Sequence, residues 1–179
     1  MNTDQIARNA LEQWDARLRA ICGRFETDLA FNRSLFIGEI STWTRSGLEL
    51  ASLRTNAGNI VRRAGNADLD NDEDCFLVSQ RSGYSQITQH GISIKLAPGD
   101  MLLMDSTGYC EITPFGLIEH ASLSLPRRDV LKGLKNQRLT FGKVFEAKTC
   151  GRMLHVLMDQ ICKDTRVDEA VAADERGLQ

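Results

Sequence analysis

The chain has 179 residues, 42% of them apolar and 26% charged, and a formal net charge of −2. These values predict one domain, alone or with a helical appendage. They exclude a disordered chain and a basic nucleic-acid surface on this piece. Because no run of about 18 apolar residues occurs and the polar N-terminus lacks a signal-peptide core, we expect a cytoplasmic protein without a membrane partner.

The first predicted element is a helix over residues 3 to 22. Thr3 can cap its N-terminus, and Gly23 is a suitable stop. Apolar side chains recur at helical spacing at Ile6, Ala10, Trp14, Leu18 and Ile21. We expect residues 1–24 to form a helix packed on the outside of the domain that follows. The alternative is an N-terminal element that responds to a ligand.

Short stretches with strand patterns, separated by turn residues, fill residues 25 to 126. Strands are predicted around residues 35–40, 48–55, 59–63, 75–78, 85–89, 92–96, 101–104, 109–112 and 118–125. His90-Gly91 predicts one hairpin turn, and Asn56-Ala57-Gly58 predicts another, between 48–55 and 59–63. The apolar run from Met101 to Met104 predicts a strand buried on both faces. This succession predicts a mainly β fold with flanking helices, built as an antiparallel sandwich or barrel.

Helical patterns return after residue 126. A short helix is predicted from Arg127 to Leu134 and a longer one from Thr149 to Lys163. The longer helix carries an apolar stripe of dimerisation candidates: Met153, Leu154, Leu157, Met158 and Ile161. The alternative for this stripe is packing on its own barrel. A further periodic segment, from Val167 to Leu178, stops in mid-period, so we expect residues 127–179 to be a truncated dimerisation segment.

The side chains that metal binding would need are sparse. The histidines are His90 in a turn, His120 alone on its strand and His155 on the late helix, so no cluster of imidazoles predicts a metal site. The acidic stretch from Asp68 to Asp74 lacks the glycine and the final glutamate of a calcium loop, and we interpret it as a solvated loop. The sequence therefore predicts no bound metal.

The sequence also predicts no catalytic residue and no cofactor. The five cysteines are odd in number and without C-x-x-C spacing, at Cys22, Cys75, Cys110, Cys150 and Cys162. We expect them to be reduced thiols. No phosphate loop, G-x-S-x-G motif or cysteine–histidine dyad spacing occurs. This inventory favours a barrel that binds a molecule without transforming it.

Several short motifs resemble, in their order, the sensor domain of AraC/XylS-family transcriptional regulators, with the closest likeness to the FeaR-like subgroup. They are Gln13-Trp14, Ile21-Cys22-Gly23-x-Phe25, Phe36-x-Gly38, Val78 to Gly83, Gln89-x-Gly91, Leu96-x-Pro98-Gly99-Asp100, Asp105-Ser106 and Leu123-x-Leu125-Pro126-Arg127. The L-x-P-G-D turn recurs across cupins. The resemblance implies a cupin-like antiparallel β-barrel, also called a double-stranded β-helix, over residues 25–126.

The resemblance also implies a function, that of an effector-sensing and dimerisation domain. Its partners would be a small organic effector, with aromatic aldehydes, acids and amines as candidates, and a second copy of the chain. Promoter DNA would be bound through a C-terminal helix-turn-helix domain that is absent from this sequence.

Candidate ligand contacts follow from rough strand alternation and are Trp43, Arg54, Phe76, Gln80 and Tyr109. The alternative for each is an ordinary core or surface role, and for Arg54 a pair with an acid at the rim. The alternative function is a stand-alone, metal-free cupin-like enzyme of the isomerase or epimerase type. The titratable side chains nearest to such an active site would be Glu111, His120 and Asp105.

Overall fold

A computed structural model describes residues 3–30, 36–63, 73–133, 142, 144–145 and 152–161. The helices are α1 (Thr3–Cys22), α2 (Arg127–Gly133) and α3 (residues 152–161). The strands are β1 (Phe25–Asp28), β2 (Gly38–Arg45), β3 (Leu48–Thr55), β4 (Asn59–Arg62), β5 (Asp74–Ser82), β6 (Ser85–Gln89), β7 (Ile92–Leu96), β8 (Met101–Asp105), β9 (Cys110–Pro114), β10 (Ile118–Pro126) and β11 (Val144–Phe145). The predicted segment from Val167 to Leu178 and most of the acidic loop lie outside the described residues.

The strands form two antiparallel sheets, with the orders β1-β4-β9-β6-β7 and β11-β8-β5-β10-β3-β2. From β3 to β10 the chain crosses to the other sheet at every step except the β6–β7 hairpin. This winding is the double-stranded β-helix of cupin-like barrels, so the predicted fold class is confirmed. The turn of the β6–β7 hairpin is formed as predicted, with positive φ angles of 51° at His90 and 75° at Gly91.

The barrel interior is filled by the side chains that alternate inward from both sheets. In β6 and β9, buried and half-buried residues alternate along the whole strand, as one wet and one dry face require. The inward residues meet in one apolar cluster that includes Ile60, Val78, Ile87, Leu102 and Ile112. This cluster holds the two sheets together.

Helix α1 packs on the barrel, against β1 and β2. Trp14 and Leu18 are 1% and 3% exposed and belong to the same cluster as the inward residues of both sheets. The indole Nε1 of Trp14 donates a hydrogen bond of 2.9 Å to Oγ1 of Thr27 in β1. The buried face also includes Ala7, whereas Ile6 of the predicted stripe is 54% exposed.

Strand β8 is buried on both faces, as its apolar run predicts. Leu102 and Met104 point into the barrel, while Met101 lies in a second cluster on the outer face. Helix α3 covers that outer cluster with Met158, and Leu154 and Ile161 pack beside it. The helix is fixed further by Nδ1 of His155, 2.8 Å from Oγ of Ser79, and by an ion pair between Arg81 and Asp159.

The predicted hairpin between β3 and β4 is wrong. These strands belong to different sheets, with β3 paired to β2 and β10 and β4 paired to β1 and β9. The turn-like residues between them bond to neighbouring segments: the N–H of Asn56 donates to O of Ile37, and the N–H of Gly58 donates to O of Asp28. Strand β2 also extends to Arg45, beyond the predicted end at Ile40.

Candidate functional site

A cleft of about 320 Å³ lies where the end of α1 meets the inner face of the six-stranded sheet. Its polar lining comes from Thr42, Thr44, Glu49, Ser122 and Ser124. Its other lining residues are Ala20, Ile21, Trp43, Leu50, Ala51 and Phe76. The volume falls at the small end of the range for clefts that hold small organic molecules.

Strand alternation explains why hydroxyl groups line this cleft. In β10, Ala121, Leu123 and Leu125 pack in the outer cluster under α3, so Ser122 and Ser124 face inward. Threonines at alternate positions of β2 contribute in the same way. The result is a cleft with many hydrogen-bonding oxygens and, among the described residues, a single charged side chain.

Deeper in the barrel, little room is left. A second cavity of about 30 Å³ is lined mainly by apolar residues and reaches His120. Phe76 and Ser122 belong to the linings of both spaces and form their shared wall. Because a cavity of about 30 Å³ has room for only a few water molecules, an organic ligand fits the cleft and not the inner cavity.

Gln80, His120 and Ser85 form a buried polar cluster beside this inner cavity. Oε1 of Gln80 accepts hydrogen bonds from Oγ of Ser85 at 2.7 Å and from Nε2 of His120 at 2.6 Å. Its Nε2 donates to the carbonyl oxygens of Ser82 and Gly83 at 2.9 and 3.1 Å. Both acceptor positions and both N–H groups of the amide are used. Gln80 therefore has no capacity left for a ligand, and its predicted ligand contact is corrected to a structural role.

Burial keeps His120 neutral. Its pKa is lowered from 6.5 to about 4 because the ring is fully desolvated. Since Oε1 of Gln80 is an acceptor, the ring carries its proton on Nε2. A neutral ring held in this way donates to Gln80, and in the described part of the chain its side-chain partners are Gln80 and Ser85.

Two further ligand candidates lie outside the cleft. Arg54 points away from the barrel because its neighbour Leu53 points inward, and it forms an ion pair of 3.2 Å with Glu39. Tyr109 is 43% exposed, and its hydroxyl donates a 2.7 Å hydrogen bond to Oε2 of Glu111. That hydrogen bond lowers the pKa of Glu111 and raises the pKa of Tyr109. Of the predicted ligand residues, Trp43 and Phe76 belong to the lining of the cleft, but their side chains pack on opposite faces of the sheet.

Trp43 is half-buried and packs beside the outer cluster while also lining the cleft. Among the described residues, no hydrogen-bond acceptor reaches its buried Nε1. Sequence reasoning missed Glu49 and the hydroxyl residues. The signal was present in the Ser-x-Ser spacing of β10 and the Thr-x-Thr spacing of β2, which place like side chains on one face.

Asp105 organises a separate site at the end of β8. Its carboxylate is 2% exposed and lies 3.1 Å from Nε2 of His90 and 3.3 Å from Nε of Arg127. Its backbone exchanges two hydrogen bonds with the Gln89 side chain, of 2.8 and 2.9 Å. Buried Arg62 donates to the carbonyl oxygens of Asp105, Thr107 and Gly108.

The titratable residues considered for an enzyme are not brought together. Glu111 faces outward, where it accepts a hydrogen bond from Nδ2 of Asn59. Asp105 is engaged with His90 and Arg127, and His120 is inside the barrel. In the described ranges, no group of three or more histidine, cysteine, aspartate or glutamate side chains is arranged to hold a metal ion.

The thiols in the described part of the chain are free, as expected, and are poor nucleophiles. Burial raises the pKa of Cys22 to about 12 and those of Cys75 and Cys110 to about 11. No described helix is long and apolar enough to cross a membrane.

No protein-family model and no curated protein matches the chain. Among solved structures, the AraC-like transcriptional activator CuxR is similar with a TM-score of 0.70 at 14% identity, over 86% of this chain and 56% of that one. The cupin domain of an XRE-family transcriptional regulator from Enterobacter cloacae gives a TM-score of 0.41 at 12% identity, over 50% of this chain and 98% of that one. At this identity the likeness to CuxR is a likeness of fold, and the chain spans a little over half of the length of CuxR.

Proposed function

We propose that this chain is the effector-sensing and dimerisation domain of an AraC-type transcriptional regulator. A small organic effector binds in the cleft between α1 and the six-stranded sheet. Binding shifts the population of arrangements of the flanking helices. In the full regulator, a separate helix-turn-helix domain would contact promoter DNA. The fold likeness to an AraC-like activator over 86% of the chain supports this proposal.

The observation that carries the proposal is the continuity of β10 with α2. Ser122 and Ser124 line the cleft, and two residues further on Pro126 ends the strand, with Arg127 opening the helix. A ligand that moves the end of β10 therefore acts directly on the start of the helical segment. No flexible linker intervenes to absorb the displacement.

Contacts around Arg127 attach α2 to the barrel. Its N–H donates a 2.7 Å hydrogen bond to O of Glu73, and its side chain pairs with Asp105. On the barrel side, Asp105 is fixed by Gln89 and Arg62. The barrel side of this attachment is thus fixed by several hydrogen bonds, whereas Arg127 on the helix side is partly exposed to solvent. This asymmetry suits an element with two discrete arrangements.

Dimerisation is assigned to the outward face of α3. Met153, Val156 and Leu157 are 64%, 53% and 53% exposed. The predicted stripe therefore divides: Met153 and Leu157 face outward, whereas Leu154, Met158 and Ile161 pack on the chain's own barrel. The outward group forms the surface that a second copy would cover.

The test is a ligand screen by thermal shift against aromatic aldehydes, acids and amines, with product analysis of every mixture. A sensor is stabilised by one class of compound and leaves that compound unchanged. Ser124→Phe fills the cleft and should abolish the stabilisation. Tyr109→Phe alters a residue outside the cleft and should retain it.

Three outcomes contradict the proposal. Turnover of a compound would favour the metal-free enzyme. A stabilisation that survives Ser124→Phe would move the ligand to another site. The absence of a shift with every class would favour a barrel that serves dimerisation alone.

A further inference from the structure

The electrostatics of the cleft narrow the chemical class of its ligand. Of the described residues that line the cleft, Glu49 is the one with a charged side chain, and none is a lysine, arginine or histidine. In the described part of the chain, no cationic side chain forms an ion pair with Glu49. The carboxylate is exposed at the cleft and open to a ligand.

The end of α1 adds a second negative contribution. Ala20 and Ile21, in the last turn of this 20-residue helix, line the cleft. The C-terminal end of a helix carries partial negative charge on its unpaired carbonyl groups and favours a nearby cation. Arg19 lies in the same turn but is not part of the lining. The end of α1 and the Glu49 carboxylate therefore both make the electrostatic potential in the cleft more negative.

The remaining lining fits a ligand that is charged at one end and apolar at the other. Hydroxyl oxygens of Thr42, Thr44, Ser122 and Ser124 can accept hydrogen bonds from an N–H donor. Phe76 offers an apolar wall on the side of the inner cavity. A carboxylate ligand, by contrast, would meet Glu49 and the helix end, and no cationic side chain in the described lining offsets their negative charge.

We propose that the cleft selects a small organic ammonium ion with an apolar body, and that Glu49 sets this charge selectivity. The inference rests on the proposed function, because it concerns the ligand of the same cleft. From the usual strength of exposed charge pairs and helix-end interactions, we expect an amine to bind about fivefold more tightly than the matched alcohol. The matched acid should bind most weakly.

The experiment compares three probes of nearly equal size: cyclohexylmethylamine, cyclohexylmethanol and cyclohexanecarboxylate. Binding to the whole chain is followed by NMR through the backbone N–H groups of Ser122 and Ser124, which line the cleft. The indole of Trp14, bonded to Thr27 in the core, serves as the internal reference. The preference for the amine should shrink at high ionic strength because the charges are exposed.

Two carboxylate variants separate a specific from a general charge effect. Glu49→Gln should lower the affinity for the amine until it is close to the affinity for the alcohol. The affinity for the alcohol itself should not change. Glu39→Gln removes a carboxylate of the neighbouring strand that pairs with Arg54 outside the cleft, and should leave the preference intact. The ammonium proposal would be wrong if the acid bound as tightly as the amine or more tightly, or if the preference for the amine over the alcohol remained in Glu49→Gln. Neither result would contradict the sensing function. Binding of no probe, together with a negative effector screen, would count against the sensing function itself.

Discussion

Asp105 and Arg127 form an ion pair, with Nε of Arg127 3.3 Å from Oδ1 of Asp105, that joins the end of β8 to the first residue of α2. The carboxylate is almost fully buried, whereas Arg127 is about a quarter exposed, at 26%. If Arg127 moved away, it would become solvated, whereas the buried carboxylate would keep only its contact with His90 among these two partners. The pair therefore stabilises α2 in this arrangement, because its loss leaves a poorly compensated buried charge.

Asp105→Asn should loosen α2 while leaving the barrel folded. The amide keeps the size of the side chain but loses the charge that faces Arg127 and His90. We expect a loss of about 2 kcal/mol in the free energy of unfolding, measured in urea. Hydrogen exchange should accelerate at residues 127–133 and stay unchanged in β6 and β9.

Lys132→Gln is the matched control, since it removes the exposed pair with Asp129, 3.5 Å long on the same helix. It should change stability by less than about 0.5 kcal/mol. Faster exchange throughout the barrel in Asp105→Asn would show that the pair supports the fold as a whole and is not a separable attachment.

Gln80→Leu tests whether the buried polar cluster is structural. The leucine would leave Nε2 of His120, Oγ of Ser85 and two backbone carbonyl groups without their partner. We expect the free energy of unfolding to fall by about 3 kcal/mol. Each buried unsatisfied polar group costs about 1–3 kcal/mol, and the costs of neighbouring groups are not additive. Gln86→Leu, at a half-buried position of β6, should cost less than about 1 kcal/mol.

Much of the fold was predictable because each strand carries a local pattern. The alternation of β6 and β7 and the His90-Gly91 turn specify a hairpin, and the apolar run of β8 specifies burial on both faces. Which sheet a strand joins is not a local property. Asn56-Ala57-Gly58 has the composition of a hairpin turn, yet the chain there crosses between the sheets.

The candidate site was less predictable, because it depends on which face of a strand is inward. An error of one residue in the predicted alternation exchanges inward and outward side chains. Arg54 is an example, because it was predicted to face inward, whereas its neighbour Leu53 does so. Gln80 does point inward, but its neighbours take all of its hydrogen-bonding groups. Glu49 could be recognised only after the end of α1 was placed at the same cleft, which no local pattern specifies.

His120 makes the stability of the domain depend on pH. Its folded pKa of about 4 lies below the ordinary value of 6.5, so the unfolded chain binds the proton more tightly. The contribution of neutral His120 to the free energy of unfolding is therefore fully present above pH 6.5. It is lost as the pH falls from 6.5 towards 4. Over this window the loss amounts to about 3 kcal/mol.

The measurement is the urea midpoint of the wild-type chain and of His120→Gln at a series of pH values. Glutamine keeps a neutral donor for Oε1 of Gln80 but cannot titrate, so its curve should be flatter over the same window. Parallel curves for the two proteins would exclude His120 as the source of the dependence.

Two methionines of α3, about one and a half turns apart, allow packing on the barrel and self-association to be tested separately. Met158 is 3% exposed in the cluster with Leu77 and Met101, whereas Met153 is 64% exposed. Met158→Ala should cost about 2–4 kcal/mol of stability through the cavity that it leaves. Met153→Ala should cost less than about 0.5 kcal/mol but weaken dimerisation, measured by analytical ultracentrifugation, because it removes apolar area from the face assigned to the second copy. Unchanged association in Met153→Ala and in Leu157→Ala would remove this face from the dimer interface and leave α3 with the single role of covering β5 and β8.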